Sequence, residues 1–273
     1  MERVQIGNLL LVHFIPAERK HDNPLLFVPG MHEKGEWIFY NWAHAAAEAG
    51  WEVWIINLRG HHGSRPIEDF GKVSIMDYVE DVEDVLRYFT REHIHTPILI
   101  GHSMGGLIVQ LVADRNLDIP AVVLTNSAPP RGISPASWAT ISRYWKFPYL
   151  IATALKKPLP PQKKDMMRLV FNNLPRDQAE TDFQQMVPES GLAARELTFW
   201  RWLGQETKID PRIPVLVIGA TEDNLTPPEI QEKIARKYKT MYKEFPGAHL
   251  LPLEQGCEAP IQFILQWAAG HNL

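Results

Sequence analysis

The chain has one cysteine, Cys257, among 273 residues, so no intrachain disulfide can form and nothing in the fold depends on an oxidising compartment. Without an activating histidine in a recognisable motif, that thiol reads as buried packing rather than a nucleophile. An excess of positive charge is also lacking. The 28 Lys and Arg stand against 32 Asp and Glu, for a formal net charge of -4, which argues against nucleic acid as a partner. Apolar runs long enough to span a membrane are missing too. The N-terminal MERVQIGNLLLVHFIPAERK is interrupted by His13, closes on Pro16 and charges, and has neither the basic start nor the small-residue cleavage site of a secretory signal. A cytoplasmic protein with no stable membrane insertion is the expectation. No His-Glu-x-x-His helix or Cys/His cluster is present, and His61-His62 has no spaced partners, so no metal is expected. No glycine-rich segment matches a dinucleotide fingerprint or a P-loop, and no cofactor is implied. Repeats and low-complexity tracts are absent.

What is present is ordinary for a globular protein with a sizeable core: 45% hydrophobic and 22% charged residues. Short runs rich in β-branched and apolar residues occur at Leu9 to Phe14, Leu25 to Val28, Val53 to Leu58, Ile98 to Ile100, Ala121 to Leu124 and Val215 to Ile218. Runs this short and continuous suit strands buried on both faces of a parallel sheet. Helical patterns lie between them at Phe39 to Ala49, Ile75 to Glu92 and Gly105 to Asn116. The second carries an apolar stripe from Ile75 through Tyr78, Val82 and Val85 to Phe89, with Ser74 placed to cap it. The alternation predicts an α/β sheet with crossover helices. It stops from Pro129 to Pro211, where proline-broken helical segments replace it, and resumes after residue 213. We therefore expect a core of residues 1–128 and 212–273 with a helical insertion at 129–211.

The strongest chemical signal is Gly101-His102-Ser103-Met104-Gly105, directly after a strand-like run and before a helical one. A serine on a sharp strand-to-helix turn needs small neighbours, and Gly101 and Gly105 supply them. Such a turn exposes the hydroxyl while the helix N-terminus aims N–H groups and a positive dipole end at developing negative charge.

On these residues the sequence resembles the α/β-hydrolase family, with its nucleophile elbow, mostly parallel central sheet flanked by helices, and helical cap insertion. The family order of serine, acid, histidine implies an acid after a late strand and a histidine near the end. Asp223, in Thr221-Glu222-Asp223-Asn224 after Val215 to Ala220, and His249, in Phe245-Pro246-Gly247-Ala248-His249, stand at the matching places. A hydroxyl near neutral pH requires such a base, and the base requires a carboxylate to fix its tautomer. Glu222 competes for the acid's role, while Glu254 reads as a surface charge or loop hydrogen-bonder. The resemblance further implies oxyanion donors at the backbone N–H groups of Met31 and Met104, although Pro29-Gly30 stands where the family more often has His-Gly. Asn57-Leu58-Arg59-Gly60-His61-His62-Gly63 is similar to the family's Arg-Gly-His-Gly loop and reads as scaffold.

The insertion is rich in aromatic residues and methionine. If it occupies the place of the family's cap, Trp138, Trp145 and Phe171 would help to line an apolar acyl pocket. The expected partner is a small-molecule ester with an apolar acyl group. Other activities stay open at this point: lysophospholipase or monoacylglycerol-lipase-like hydrolysis, thioester cleavage, and non-catalytic ligand binding.

Overall fold

The computed structural model describes residues 1–116, 118–133, 154–203 and 206–271. An eight-stranded sheet runs in the order β1-β2-β4-β3-β5-β6-β7-β8. Its strands are β1 (Glu2–Ile6), β2 (Leu9–Phe14), β3 (Leu25–Val28), β4 (Val53–Asn57), β5 (Ile98–His102), β6 (Val122–Thr125), β7 (Val215–Ala220) and β8 (Met241–Phe245). The pairs β1–β2 and β2–β4 are antiparallel, and every other pair is parallel. The six runs read from the sequence all appear as strands, because a strand covered on both faces needs apolar residues at every position. β1 and β8 escape that signal. They are the sheet's edges, and their side chains are mostly exposed or half-buried.

Period-2 alternation distributes each inner strand between two cores. Leu26 and Val28 of β3, and Trp54 and Ile56 of β4, pack on one face; Leu25, Phe27, Val53 and Ile55 pack on the other. The first face is covered by α2 (Ile75–Arg91), α3 (Met104–Arg115) and α7 (Pro228–Tyr238), the second by α1 (Gly35–Glu48) and α8 (Glu258–Gly270). Helix α2 starts as its sequence requires: Ser74 Oγ accepts the Asp77 N–H, and the Asp77 carboxylate accepts the Ser74 N–H.

Among the described residues between β6 and β7 lie three helices, α4 (Lys163–Leu169), α5 (Arg176–Phe183) and α6 (Gly191–Leu203). Ser190 caps α6, its Oγ accepting the Ala193 N–H at 3.3 Å and donating to the Val73 carbonyl at 2.6 Å. The segment straddles the sheet. Leu169, Val170, Phe171 and Ala179 join the core beneath α1 and α8, whereas Ala193 joins the opposite one. No helix among the described residues is long and apolar enough to cross a membrane.

Candidate active site

Ser103 stands at the joint between β5 and α3 with φ 53° and ψ -119°. That conformation is unfavourable for a residue with a side chain, by about 1–3 kcal/mol, and persists only where the surroundings enforce it. They do so here. A Cβ on Gly101 would lie 2.4 Å from the Gly105 carbonyl oxygen, and one on Gly105 would lie 2.2 Å from that of Val28. The Ser103 N–H donates to Thr125 O at 3.1 Å, and its carbonyl accepts the N–H groups of Gly106 and Ala128. The strained turn is thus pinned to β6 and to the loop beyond it.

Two later loops complete the arrangement. The Ser103 hydroxyl lies 3.0 Å from His249 Nε2, and His249 Nδ1 lies 2.9 Å from Asp223 Oδ2. All three residues are buried. The Asp223 carboxylate is saturated with donors. Oδ1 accepts the N–H groups of Leu225 and Thr226 at 2.7 and 2.9 Å; Oδ2 accepts the Asn126 side-chain amide at 2.6 Å and the Thr226 hydroxyl at 2.8 Å. Burial alone would raise this carboxyl, but His249 and the Thr226 donors outweigh it and hold the group down at about 2. It is therefore ionised at neutral pH and fixes the Nδ1–H tautomer of His249, leaving the Nε2 lone pair toward the serine. Glu222, the rival acid, is exposed.

Sequence reasoning did not find Asn126. Its amide bridges Asp223 and the Ala248 carbonyl, at 2.6 and 3.1 Å, so it ties the acid loop to the histidine loop. Its φ of 45° is one that asparagine tolerates better than most residues. The only sequence signal was its place immediately after a buried strand. Glu254 is not a surface charge: it is buried, accepting the Ala248 N–H at 2.7 Å and the Asn173 amide at 3.0 Å.

The turn after β3 approaches the serine from the other side. Helix α3 begins at Met104, whose N–H belongs to the first turn, where no intrahelical acceptor exists. Met31 is half-buried in the β3 turn, and His32 follows with φ 67°. This turn is clamped by the segment between β6 and β7. Val187 donates its N–H to His32 O at 3.0 Å and accepts from His32 Nδ1 at 2.8 Å. Burial holds the His32 imidazole below its ordinary value, which suits a neutral ring donating one hydrogen bond.

Beside the clamp lies a second carboxylate–imidazole pair that was invisible as a motif. Glu189 is fully buried; its oxygens accept the Tyr78 hydroxyl at 2.5 Å and the Ser190 N–H at 2.6 Å, and lie 3.2 Å from His61 Nε2. His61 belongs to the Arg-Gly-His-His loop, whose Arg59 is engaged by Asp77, Glu80 and Asp81. The loop is tied through Arg59 to α2 and through His61 to Glu189 in the segment between β6 and β7. Phe171 is buried in the same cluster as Leu250 and Leu251, the two residues after His249. Asn172 and Asn173 next to it donate to Glu222 O and Glu254 Oε2, each at 3.0 Å. Trp138 and Trp145 lie outside the described residues. Among the described residues no group of three or more His, Cys, Asp or Glu is placed to hold a metal ion.

A hydroxyl, an imidazole and an ionised carboxylate in this order form a relay that can remove a proton from an attacking oxygen and return it to a leaving group. Comparison with known proteins agrees with that class. The profile described as "Alpha/beta hydrolase family" matches residues 25–263, and the chain belongs to this family. A thermostable monoacylglycerol lipase from Bacillus sp. (strain H-257) is 27% identical over 207 residues, covering 74% of this chain and 71% of the relative. A probable alcohol acetyltransferase of Saccharomyces cerevisiae is 29% identical over 89 residues, a match spanning 32% of this chain and 24% of the yeast protein. Among solved structures, a thermophilic esterase from Thermogutta terrifontis superposes with a TM-score of 0.73 at 20% identity over 100% of both chains.

Proposed function

We propose that this protein hydrolyses carboxylic esters through an acyl-enzyme on Ser103. The observation that supports it most is the continuous contact from Ser103 Oγ through His249 to Asp223, at 3.0 and 2.9 Å. In the proposed reaction His249 Nε2 takes the hydroxyl proton as Ser103 Oγ bonds to the ester carbonyl carbon. The carbonyl electron pair moves to oxygen, where the N–H groups of Met31 and Met104 receive it. Collapse breaks the bond to the alcohol oxygen, which takes the proton from His249. Water then repeats the sequence against the acyl-enzyme, with His249 again accepting and returning a proton, and the carboxylic acid leaves. Asp223 stays ionised throughout and stabilises the imidazolium.

The segment 129–211 serves in this reading as a cap that meets the acyl group, with Phe171 on the side of the histidine loop. The ester is an apolar one. The likeness to a monoacylglycerol lipase favours a glycerol monoester as the substrate to try first. A fluorophosphonate should label Ser103, and p-nitrophenyl esters of graded length should be hydrolysed alongside a monoacylglycerol. Cleavage confined to a thioester or a lysophospholipid would reassign the leaving group. Neither labelling nor hydrolysis would leave a ligand-binding protein.

A further inference from the structure

His102 precedes the nucleophile and is fully buried, yet neither the relay nor the oxyanion donors use it. Its ring sits between two acceptors. Nε2 lies 2.8 Å from His249 O, and a carbonyl oxygen can only accept, so Nε2 carries a hydrogen. Nδ1 lies 2.9 Å from Glu33 Oε1, close but off the hydrogen-bond axis. A lone pair on Nδ1 would be repelled by the Glu33 carboxylate and a hydrogen there attracted to it, an arrangement that suits a charged ring. Burial by itself pushes this imidazole down, but the Glu33 carboxylate and the His249 carbonyl outweigh it and hold it above its ordinary value.

Glu33 has a second contact. Its Oε2 accepts the Gly30 N–H at 2.5 Å, one residue before Met31. The turn held in this way touches the nucleophile: a Cβ on Gly30 would fall 2.7 Å from Ser103 Cβ. The buried pair therefore grips backbone on both sides of the serine, at Gly30 on the oxyanion side and at His249 on the base side.

We propose that Glu33 and His102 are positioning residues, a buried carboxylate–imidazolium bridge that sets the oxyanion turn and the histidine loop at one separation across Ser103. This rests on the serine-hydrolase reading. Displacing either loop weakens contacts made in the transition state far more than contacts made by bound substrate, and misplacement by about 1 Å costs on the order of 10²-fold. Glu33→Ala and His102→Gln should each lower kcat by about 10- to 100-fold, with KM within about threefold of wild type. Glu33→Gln is the rescue. Its carbonyl still accepts the Gly30 N–H, its amide donates to Nδ1, and His102 becomes a neutral Nε2–H tautomer that keeps its bond to His249. Activity should stay within about fivefold of wild type.

Kinetics on a p-nitrophenyl ester, with ¹⁵N-histidine NMR at pH 7, tests this. The expected His102 signal has both ring nitrogens protonated in wild type and only one in Glu33→Gln. The proposal is overturned by a singly protonated wild-type ring, by kcat within twofold of wild type in both Glu33→Ala and His102→Gln, by a loss confined to KM, or by Glu33→Gln as slow as Glu33→Ala. If the truncated variants do not fold, the near-isosteric Glu33→Gln and the wild-type spectrum decide. A wild-type protein that neither takes a fluorophosphonate nor cleaves an ester overturns the hydrolase reading itself; a labelled, active one with unaffected variants overturns only the bridge.

Discussion

Two buried carboxylate–imidazole pairs of this protein, Asp223–His249 and Glu189–His61, have the same chemistry and opposite freedom. His249 turns its second nitrogen to the Ser103 hydroxyl, which both donates and accepts, so the ring can take a proton and give it back. His61 turns its second nitrogen, Nδ1, to the Arg59 carbonyl at 3.3 Å while Nε2 faces Glu189, so both nitrogens meet acceptors and the ring is held charged. What separates a proton shuttle from a fixed cation is the group on the far side of the ring, not the carboxylate. The first pair faces the Ser103 hydroxyl, and the other ties the Arg59–His62 loop to the segment between β6 and β7.

The sharpest way to break this contrast is to remove the hydroxyl. Ser103→Ala should lower ester turnover by roughly 10⁴ to 10⁶ and abolish fluorophosphonate labelling, with little change in thermal stability. Retention of a few per cent of activity would mean that another nucleophile operates. Asp223→Asn comes next, with an expected loss on the order of 10⁴ in kcat, because an amide can hold the imidazole in the wrong tautomer. Glu222→Gln should stay within about twofold, as expected for an exposed side chain outside the relay. Steady-state kinetics on one ester ranks the two.

The Glu189–His61 pair should show itself in stability. Glu189→Ala removes the acceptor that faces His61, Tyr78 Oη and the Ser190 N–H and leaves these buried groups without their partner, a loss of about 3–5 kcal/mol readable by urea denaturation. The pH dependence follows from opposite shifts. Burial would raise Glu189, but His61 and Tyr78 outweigh it and lower it; burial would lower His61, but Glu189 outweighs it and raises it. The glutamate's contribution is present above its ordinary carboxylate value and is lost as pH falls through its depressed one. The histidine's is complete below its ordinary value and is lost as pH rises through its elevated one. The wild-type advantage over Glu189→Ala should therefore be greatest between about pH 4.5 and 6.5 and shrink on both sides. An advantage that grows steadily toward alkaline pH would contradict the fixed cation.

The contrast also explains what was legible in the sequence. Ser103, Asp223 and His249 were legible because each sits in a short local context: a strand, a glycine turn, a loop in family order. The inner strands were legible because burial on both faces demands continuous apolar runs. β1 and β8 were not, since an edge strand such as Met241–Phe245 can carry charged residues, here Lys243 and Glu244, in its middle. Glu33, Asn126 and Glu189 were invisible for another reason. Each acts on a partner brought near only by the fold, as Glu189 does on His61 across 128 positions, and a lone glutamate or asparagine carries no local mark of that meeting.

The smallest expected effect concerns Phe171, in the segment between β6 and β7. The sequence suggested an acyl-pocket role. The structure buries the ring in the core cluster that also holds Leu250 and Leu251, a setting that also suits plain packing. Phe171→Ala would leave a large cavity and confound the two roles, with a stability loss of about 3–5 kcal/mol. Phe171→Leu is the better probe because it keeps a bulky apolar group and changes shape more than burial. If the ring bounds the acyl group, the room gained should accept roughly one further methylene, worth about 0.8 kcal/mol or close to fourfold in relative kcat/KM. The optimum of a p-nitrophenyl ester series should then move to longer chains while acetyl ester hydrolysis changes little. Uniform loss across the series would assign Phe171 to packing alone and place the boundary of the acyl group elsewhere.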